Sequence, residues 1–260
     1  MRDMFFSIIT VCFNSEKTIE RTIQSVLSQS FGNYEYIIID GASSDKTLEI
    51  VDKYRSEFSH IKVVSEPDAG IYNAMNKGII MADGDYIGII NSDDWYEKDT
   101  LQMVYDSICS ASNPENSLFS GWLNLHFSDN LYKTIPSCYE RLHKFSKKCR
   151  MGLHHPSTFV PAKIYKTIGL FDEKLKLYAD CEFVNRCFRL NCSFIFINNV
   201  LANMSDGGAS KQFSKQELID SKAILSKYSR NKFDYFNRYS ALYLRRMIKK
   251  FFNRIKVLKL

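Results

Sequence analysis

The sequence predicts an α/β protein: a mostly parallel central sheet, Rossmann-like and flanked by helices on both faces, with a helical C-terminal tail. Three observations predict it. Strand-like and helix-like signals alternate through the first 95 residues. The strand-like runs are continuously apolar, as strands covered on both faces are. A polar cluster follows each of them.

The elements follow in order. Residues 5–13 are rich in β-branched and aromatic side chains and predict the first strand. In 17–29, Ile19, Ile23, Val26 and Leu27 recur at helical spacing. A second buried strand is expected over 34–40, a helix over 46–58, a short strand over 61–65, a helix over 71–81 and a strand over 86–90. This β-α-β-α-β-α-β order implies parallel strands with helical crossovers. Ligands bind such sheets outside the carboxyl ends of the strands. The polar clusters fall there: Asn14, Asp40 to Asp45, Glu66 to Gly70, and Asn91 to Asp94. Folding alone gives no reason for four polar loops on one edge. Further on, helices are expected over 101–109, 163–168 and 181–190. Strand-like pieces are expected around 118–127, and a last strand over 193–200.

Composition narrows the class. With 45% hydrophobic and 25% charged residues in 260, the chain reads as globular, not disordered, collagenous or polytopic. Its net charge of +6 is local: residues 245–260 hold seven basic and no acidic side chains, which leaves the rest near −1. A nucleic-acid partner is therefore not expected. Seven cysteines, an odd number without a Cys-x-x-Cys pair, suggest a reduced cytosol and no zinc site. Residues 1–13 lack a cleavage site and are too short to span a bilayer, and no later segment reaches spanning length. Any membrane contact is expected to be peripheral. Leu244, Met247, Ile248, Phe251, Phe252, Ile255 and Leu258 form an apolar stripe opposite Lys and Arg, which suits a helix lying on anionic lipid. A helix packed on its own domain with a solvated basic face has the same pattern.

Asn91-Ser92-Asp93-Asp94, directly after an apolar strand, is the strongest chemical signal. Closely spaced oxygen ligands at a strand end suit Mn²⁺ or Mg²⁺, which bridge phosphates and need few protein ligands. An Asx-turn leading into the helix near Asp99 explains the same residues structurally. In Asp40-Gly41-Ala42-Ser43-Ser44-Asp45, Gly41 permits a tight turn. Asp40 is placed to accept from a base or ribose, and Asp45 to cap the next helix.

Together with Ser7-Ile8-Ile9-Thr10-Val11-Cys12-Phe13-Asn14 and Glu66-Pro67-Asp68-Ala69-Gly70-Ile71-Tyr72-Asn73-Ala74-Met75-Asn76-Lys77-Gly78, these segments resemble, in the same order, the family 2 glycosyltransferases of the GT-A fold. The resemblance implies an inverting, metal-dependent enzyme with Mn²⁺ or Mg²⁺ as cofactor. It would pass one sugar from a nucleotide-sugar donor, a UDP-sugar, to a lipid-linked oligosaccharide. The setting would be bacterial surface polysaccharide synthesis (O-antigen, capsule or exopolysaccharide) at the inner face of the cell membrane. By position, Thr10, Val11 and Asn14 would line the nucleoside pocket, largely through backbone groups, and Asp40 would accept from uracil. Asp68, Asn73, Lys77 and Ser92 would approach the uridine and diphosphate. Asp93 would bind the metal, and Asp94 would be a donor or acceptor contact. The family usually has Asp where this chain has Asn91, a neutral and weaker ligand. The expected division is 1–210 as the transferase domain (1–95 donor side, 96–210 acceptor side) and 211–260 as C-terminal helices.

The second half matches more loosely. His154-His155-Pro156-Ser157-Thr158-Phe159 resembles an acceptor-side segment, with His155 as a donor or acceptor contact. Tyr178-Ala179-Asp180-Cys181-Glu182-Phe183 falls where many members carry Glu-Asp, which makes Asp180 the candidate general base. As the N-cap of the following helix, Asp180 would have a purely structural role. Ser205-Asp206-Gly207-Gly208-Ala209-Ser210 resembles the loop that folds over donor. Trp95 and Trp122 do not complete the Gln-x-x-Arg-Trp motif of processive members, so a single addition is expected. Two alternatives remain at this point: a sugar nucleotidyltransferase, which wants a glycine-rich basic loop where Asn14-Ser15-Glu16 stands, and an inactive nucleotide- or glycan-binding module.

Overall fold

A computed structural model describes residues 4–128, 130–146, 152–206 and 215–257. The chain forms two compact units, Met1–Gln212 and Phe213–Leu260. Gly207 to Ser210 and the side chains of 245–260, which carry the donor-loop and lipid-helix expectations, lie outside the described residues.

Unit one is built on a sheet ordered β3-β2-β1-β4-β8-β6-β9-β5, with β7 paired to β6. β1 (Phe6–Cys12) and β2 (Tyr34–Asp40) are buried along their whole length, which explains their unbroken apolar runs. β3 (Ile61–Ser65) and β4 (Tyr86–Asn91) complete a parallel block with β2 and β1. Its register aligns the strand ends: Cys12 lies beside Asp40, Asp40 beside Ser65, and Val11 beside Asn91. The four polar loops thus leave the sheet at one edge.

The crossovers are α1 (Ile19–Leu27), α2 (Thr47–Glu57) and α3 (Ile71–Met81). On α1 the buried set is Ile19, Thr22, Ile23 and Val26, one face at helical spacing. These side chains join Phe6, Ile8, Tyr36 and Ile38 in a core that continues through Leu101, Phe119, Phe159 and Leu201. The same cluster therefore holds the two halves of the sheet together.

Parallel pairing is a property of the first half. β5 (Trp95–Tyr96) runs antiparallel to β9 (Ser193–Ser205), β8 (Thr158–Pro161) antiparallel to β4 and β6, and only β6 (Ser117–Ser128) with β9 is parallel. β7 (Leu131–Ile135) turns back on β6 as a hairpin. β5 and β8 are too short to show a pattern. β7 is mostly exposed and carries no apolar face.

α4 (Thr100–Cys109), α5 (Tyr139–Ser146), α6 (Ala162–Ile168) and α7 (Ala179–Arg189) complete this unit. α7 starts two residues earlier than expected, with Tyr178 at its N-cap. This removes Asp180 from the capping position and puts it in the first turn. The second unit consists of α8 (Lys215–Tyr228) and α9 (Lys232–Val257). No helix among the described residues is long and apolar enough to cross a membrane.

Candidate functional site

The first two loops of the shared edge are laced to each other. The Asn14 backbone N–H donates to Ser43 Oγ at 2.8 Å, and Asn14 Oδ1 accepts from the Ser44 N–H at 2.9 Å. The Ser15 N–H donates to Thr47 Oγ1, the Glu16 N–H to Asp45 Oδ2, and the Lys46 N–H to Glu16 Oε2. Asp45 Oδ1 also accepts from the Thr47 N–H at 3.0 Å, so it serves the first turn of α2 from one residue before the N-cap. Asn14 (φ 49°) and Ala42 (φ 61°) hold left-handed backbone, which costs roughly 1 kcal/mol or more for a residue with a Cβ. The lacing overdetermines both turns.

Asp40 is fully buried, and its oxygens are occupied by its own surroundings. Oδ2 accepts from the Ser43 N–H at 2.9 Å and Ser65 Oγ at 2.7 Å; Oδ1 accepts from the Ser43 and Cys12 side chains. Burial first, and then the Asp40 charge, push the Cys12 thiol up, so it remains a donor. Asp40 as placed is the lock of the β2 turn, and uracil would have to displace one of these donors. Thr10 is also displaced from the expected pocket. It lies between Ile38 and Ile90 in mid-sheet, fully buried, with its hydroxyl 2.9 Å from that of Tyr36. Val11 is likewise buried.

The residue that does reach the edge is Phe13, 62% exposed, which the sequence reading left unassigned. A Cβ on Gly41 would fall 2.5 Å from Asp68 Oδ2 and 3.3 Å from the Phe13 ring. The absence of that Cβ is what lets the ring and the carboxylate share the rim. Asp68 Oδ1 accepts from the Gly70 N–H at 2.8 Å, and Gly70 (φ 122°) opens α3 in backbone only glycine adopts readily.

Asn73 and Lys77 turn out to be structural contacts in this arrangement. Asn73 Nδ2 donates to Glu173 Oε2 at 3.0 Å. Lys77 pairs with Glu66 at 2.7 Å and donates to the Pro67 carbonyl. Asn76 donates to Glu173 and the Phe171 carbonyl and accepts from the Phe171 N–H, so Asn73 and Asn76 clamp α3 to the segment leading into α7, while Lys77 holds α3 to the loop before it.

At the end of β4, Ser92 Oγ lies 2.8 Å from Ser15 Oγ. The Asp93 carbonyl accepts from Arg21 Nη2 at 3.0 Å and Ser205 Oγ at 3.0 Å, and the Arg21 guanidinium lies 3.6 Å above the Trp95 ring. The Asp93 carboxyl remains for a ligand. Asp94 is 1% exposed and joined to Asn91 Nδ2 at 3.3 Å, yet Asp94 Oδ1 and Asn91 Oδ1 are buried without a hydrogen-bond partner. Burial raises the affinity of both carboxyls for protons, and for Asp94 the neighbouring Asp93 adds to it. Two orphaned buried oxygens beside a free carboxylate are a donor set that a hard divalent cation satisfies. Among the described residues no group of three His, Cys, Asp or Glu side chains forms a metal cage, but Mg²⁺-type sites on diphosphates need only one or two carboxylates.

Across the sheet, Asp180 Oδ1 accepts from Tyr72 Oη at 2.9 Å and from the Cys181 N–H at 2.7 Å. Glu182, two residues on, is buried and paired with Arg186 at 2.8 Å. Arg186 in turn donates to the Ile168 and Leu170 carbonyls, so this pair is a structural lock. His155 lies across from Asp180: both line a cavity of about 20 Å³, room for one water, with Thr158, Tyr165 and Phe171. His155 Nε2 is buried without a partner, and burial lowers the ring's proton affinity and keeps it neutral. An acceptor contact by His155 would have to come through that cavity.

Comparison with known proteins identifies the family and the fold. The profile of Glycosyl transferase family 2 matches residues 7–165. An uncharacterized glycosyltransferase of Mycobacterium tuberculosis is 31% identical over 205 residues, 78% of this chain and 75% of that protein. The amylovoran biosynthesis glycosyltransferase AmsB of Erwinia amylovora is 28% identical over 214 residues, 78% of this chain and 70% of that protein. In fold, the chain superposes on S. aureus TarS with a TM-score of 0.66 at 21% identity, covering 94% of this chain and 43% of that one. TarS residues 1–349, solved in complex with UDP-GlcNAc, give a TM-score of 0.68 at 20% identity, over 90% and 69% of the two chains.

Proposed function

The chain belongs to glycosyl transferase family 2, and from that premise we propose that it transfers a single sugar, with inversion, from a UDP-sugar to a saccharide acceptor in surface polysaccharide synthesis. The observation that carries the reading is the meeting of four polar strand-end loops at one sheet edge, with an orphaned oxygen set at the end of β4. Phe13 offers the uracil a ring to stack on, Asp68 stands beside it, and the laced β1 and β2 loops form the floor. Asp93 and Asn91, with Asp94 behind them, would hold Mn²⁺ or Mg²⁺, which neutralises the diphosphate when bound. Asp180 takes the proton from the acceptor hydroxyl as its oxygen attacks the anomeric carbon, opposite the departing diphosphate. One base suffices for an inverting transfer, and Glu182, locked on Arg186, is not needed. The acceptor is a lipid-linked saccharide presented at the inner face of the membrane, where the basic C-terminal helix meets anionic lipid.

The test is a panel of UDP-sugars, starting with UDP-GlcNAc, scored for binding and UDP release with Mn²⁺ and with EDTA. Binding is expected to need the metal and to be lost in Asp93→Ala while the circular dichroism spectrum stays unchanged. Full activity in EDTA would remove the metal assignment.

A further inference from the structure

We propose that Tyr72 is a positioning residue for the general base: its phenol on the donor-side helix α3 fixes the orientation of the Asp180 carboxylate on α7. The inference rests on the reading of Asp180 as base.

Tyr72 is 7% exposed, and its ring packs on Phe171 at 5.6 Å. Its hydroxyl reaches 108 positions along the chain to Asp180 Oδ1 at 2.9 Å. Oδ1 also takes the Cys181 N–H, so this oxygen is filled by protein donors. Among the described residues Oδ2 has no hydrogen bond, and it is the oxygen left to face an acceptor hydroxyl. A carboxylate held by one oxygen presents the other in a fixed direction, which proton abstraction in the transition state requires.

The anchoring of the backbone is separate from this bond. Asn73 to Glu173, Asn76 to Phe171 and Glu173, and the Lys176 ammonium to the Ala69 carbonyl at 2.8 Å already tie α3 and the loop before it to the segment preceding α7. The Tyr72 hydroxyl is therefore not required to join these elements. Burial and the Asp180 charge hold the phenol well above its ordinary range, so it stays protonated and donates throughout the working pH range. The other titratable or charged groups around the carboxylate are His155, neutral through burial, Tyr165 across the small cavity, and Cys181 on α7; Arg186 is engaged by Glu182.

Removing the Tyr72 donor leaves the carboxylate free to turn away from the direction in which it meets an acceptor hydroxyl. In Tyr72→Phe, UDP release from the UDP-sugar selected above is expected to fall about tenfold or more in kcat with KM nearly unchanged. That loss corresponds to one hydrogen bond to a charged group. Ring-fluorinated tyrosine at position 72 keeps the ring, the packing and the donating hydroxyl, and should keep kcat at the wild-type level; it also serves if Tyr72→Phe folds poorly. In a double-mutant cycle, adding Tyr72→Phe to Asp180→Asn should cost almost nothing further. If Asp180→Asn is inactive but Tyr72→Phe leaves kcat unchanged, or the fluorinated tyrosine loses kcat as Tyr72→Phe does, the positioning role is overturned and the base stands. If Asp180→Asn keeps its activity, the base reading itself fails, and this inference with it.

Discussion

The edge formed by the ends of β1 to β4 and the first turn of α7, the proposed donor and acceptor sides, handle their carboxylates in opposite ways. Asp40, at the end of β2, is buried and has hydrogen-bond donors on both oxygens from Ser43, Ser65 and Cys12. Asp180, in the first turn of α7, is only partly buried and has both of its donors on one oxygen. The same residue type thus has both oxygens filled in one place and one oxygen without a hydrogen bond in the other, as the proposed roles of floor and base require. Loops that must present backbone and aromatic surface to a nucleotide gain from satisfying themselves internally, because little has to reorganise on binding. A base must keep an acceptor site empty until its substrate arrives.

Asp180→Asn is the sharpest probe of that contrast. The amide retains an oxygen for Tyr72 and the Cys181 N–H, so thermal stability should barely change. Turnover should fall by roughly 10²–10⁴ without loss of UDP-sugar affinity. UDP release under saturating donor measures it, and a variant with most of the wild-type rate would erase the difference between the two sites.

Asp40→Asn should do the reverse, on a smaller scale. The amide nitrogen would face donors from Ser43 or Ser65 and leave at least one buried group unpaired, a loss of roughly 1–3 kcal/mol in urea unfolding. UDP affinity should drop only as far as the β2 turn loosens. If calorimetry finds affinity lost while stability holds, Asp40 is a ligand contact after all and its observed partners give way to the base.

This contrast also shows what the sequence could convey. The bounds of β2, β3 and α3 were legible to the residue because their apolar runs are framed by turn residues. The loops of the site were legible as motifs, but the duties inside them were not. Asn73 and Lys77 sit in the right segment, yet their partners are Glu173, one hundred positions away, and Glu66. Tyr72 lies in the middle of a quoted motif and carries no local signal of its bond to Asp180. Phe13 was readable only as one more apolar residue of its strand, because exposure is decided by where β1 stops. Pairings over such separations arise from topology, which periodicity does not encode.

The proposed acceptor side differs from the proposed donor edge in one further respect: it encloses imidazole nitrogens without partners. Nε2 of His154, like that of His155, is enclosed without a partner, and burial, with the nearby Arg141 charge adding to it, pulls the His154 ring from 6.5 down to about 3. In the unfolded chain the ring takes up a proton near pH 6.5. Between the two values the unfolded state binds a proton that the folded state refuses, so stability falls as pH is lowered through that window. The contribution is complete above about pH 6.5 and declines by at most about 1.4 kcal/mol per pH unit below it. His154→Gln removes this one titration while keeping a polar side chain of similar reach. Its amide still lacks a partner, so some stability is expected to be lost at every pH, and the quantity to read is the slope, not the offset. Urea unfolding of both proteins between pH 7.5 and 5 should give curves that converge as the pH drops, because titrations common to both cancel in the difference. Parallel curves would mean that His154 takes up its proton in the folded chain, and that the acceptor side is more open to water than its buried imidazoles indicate.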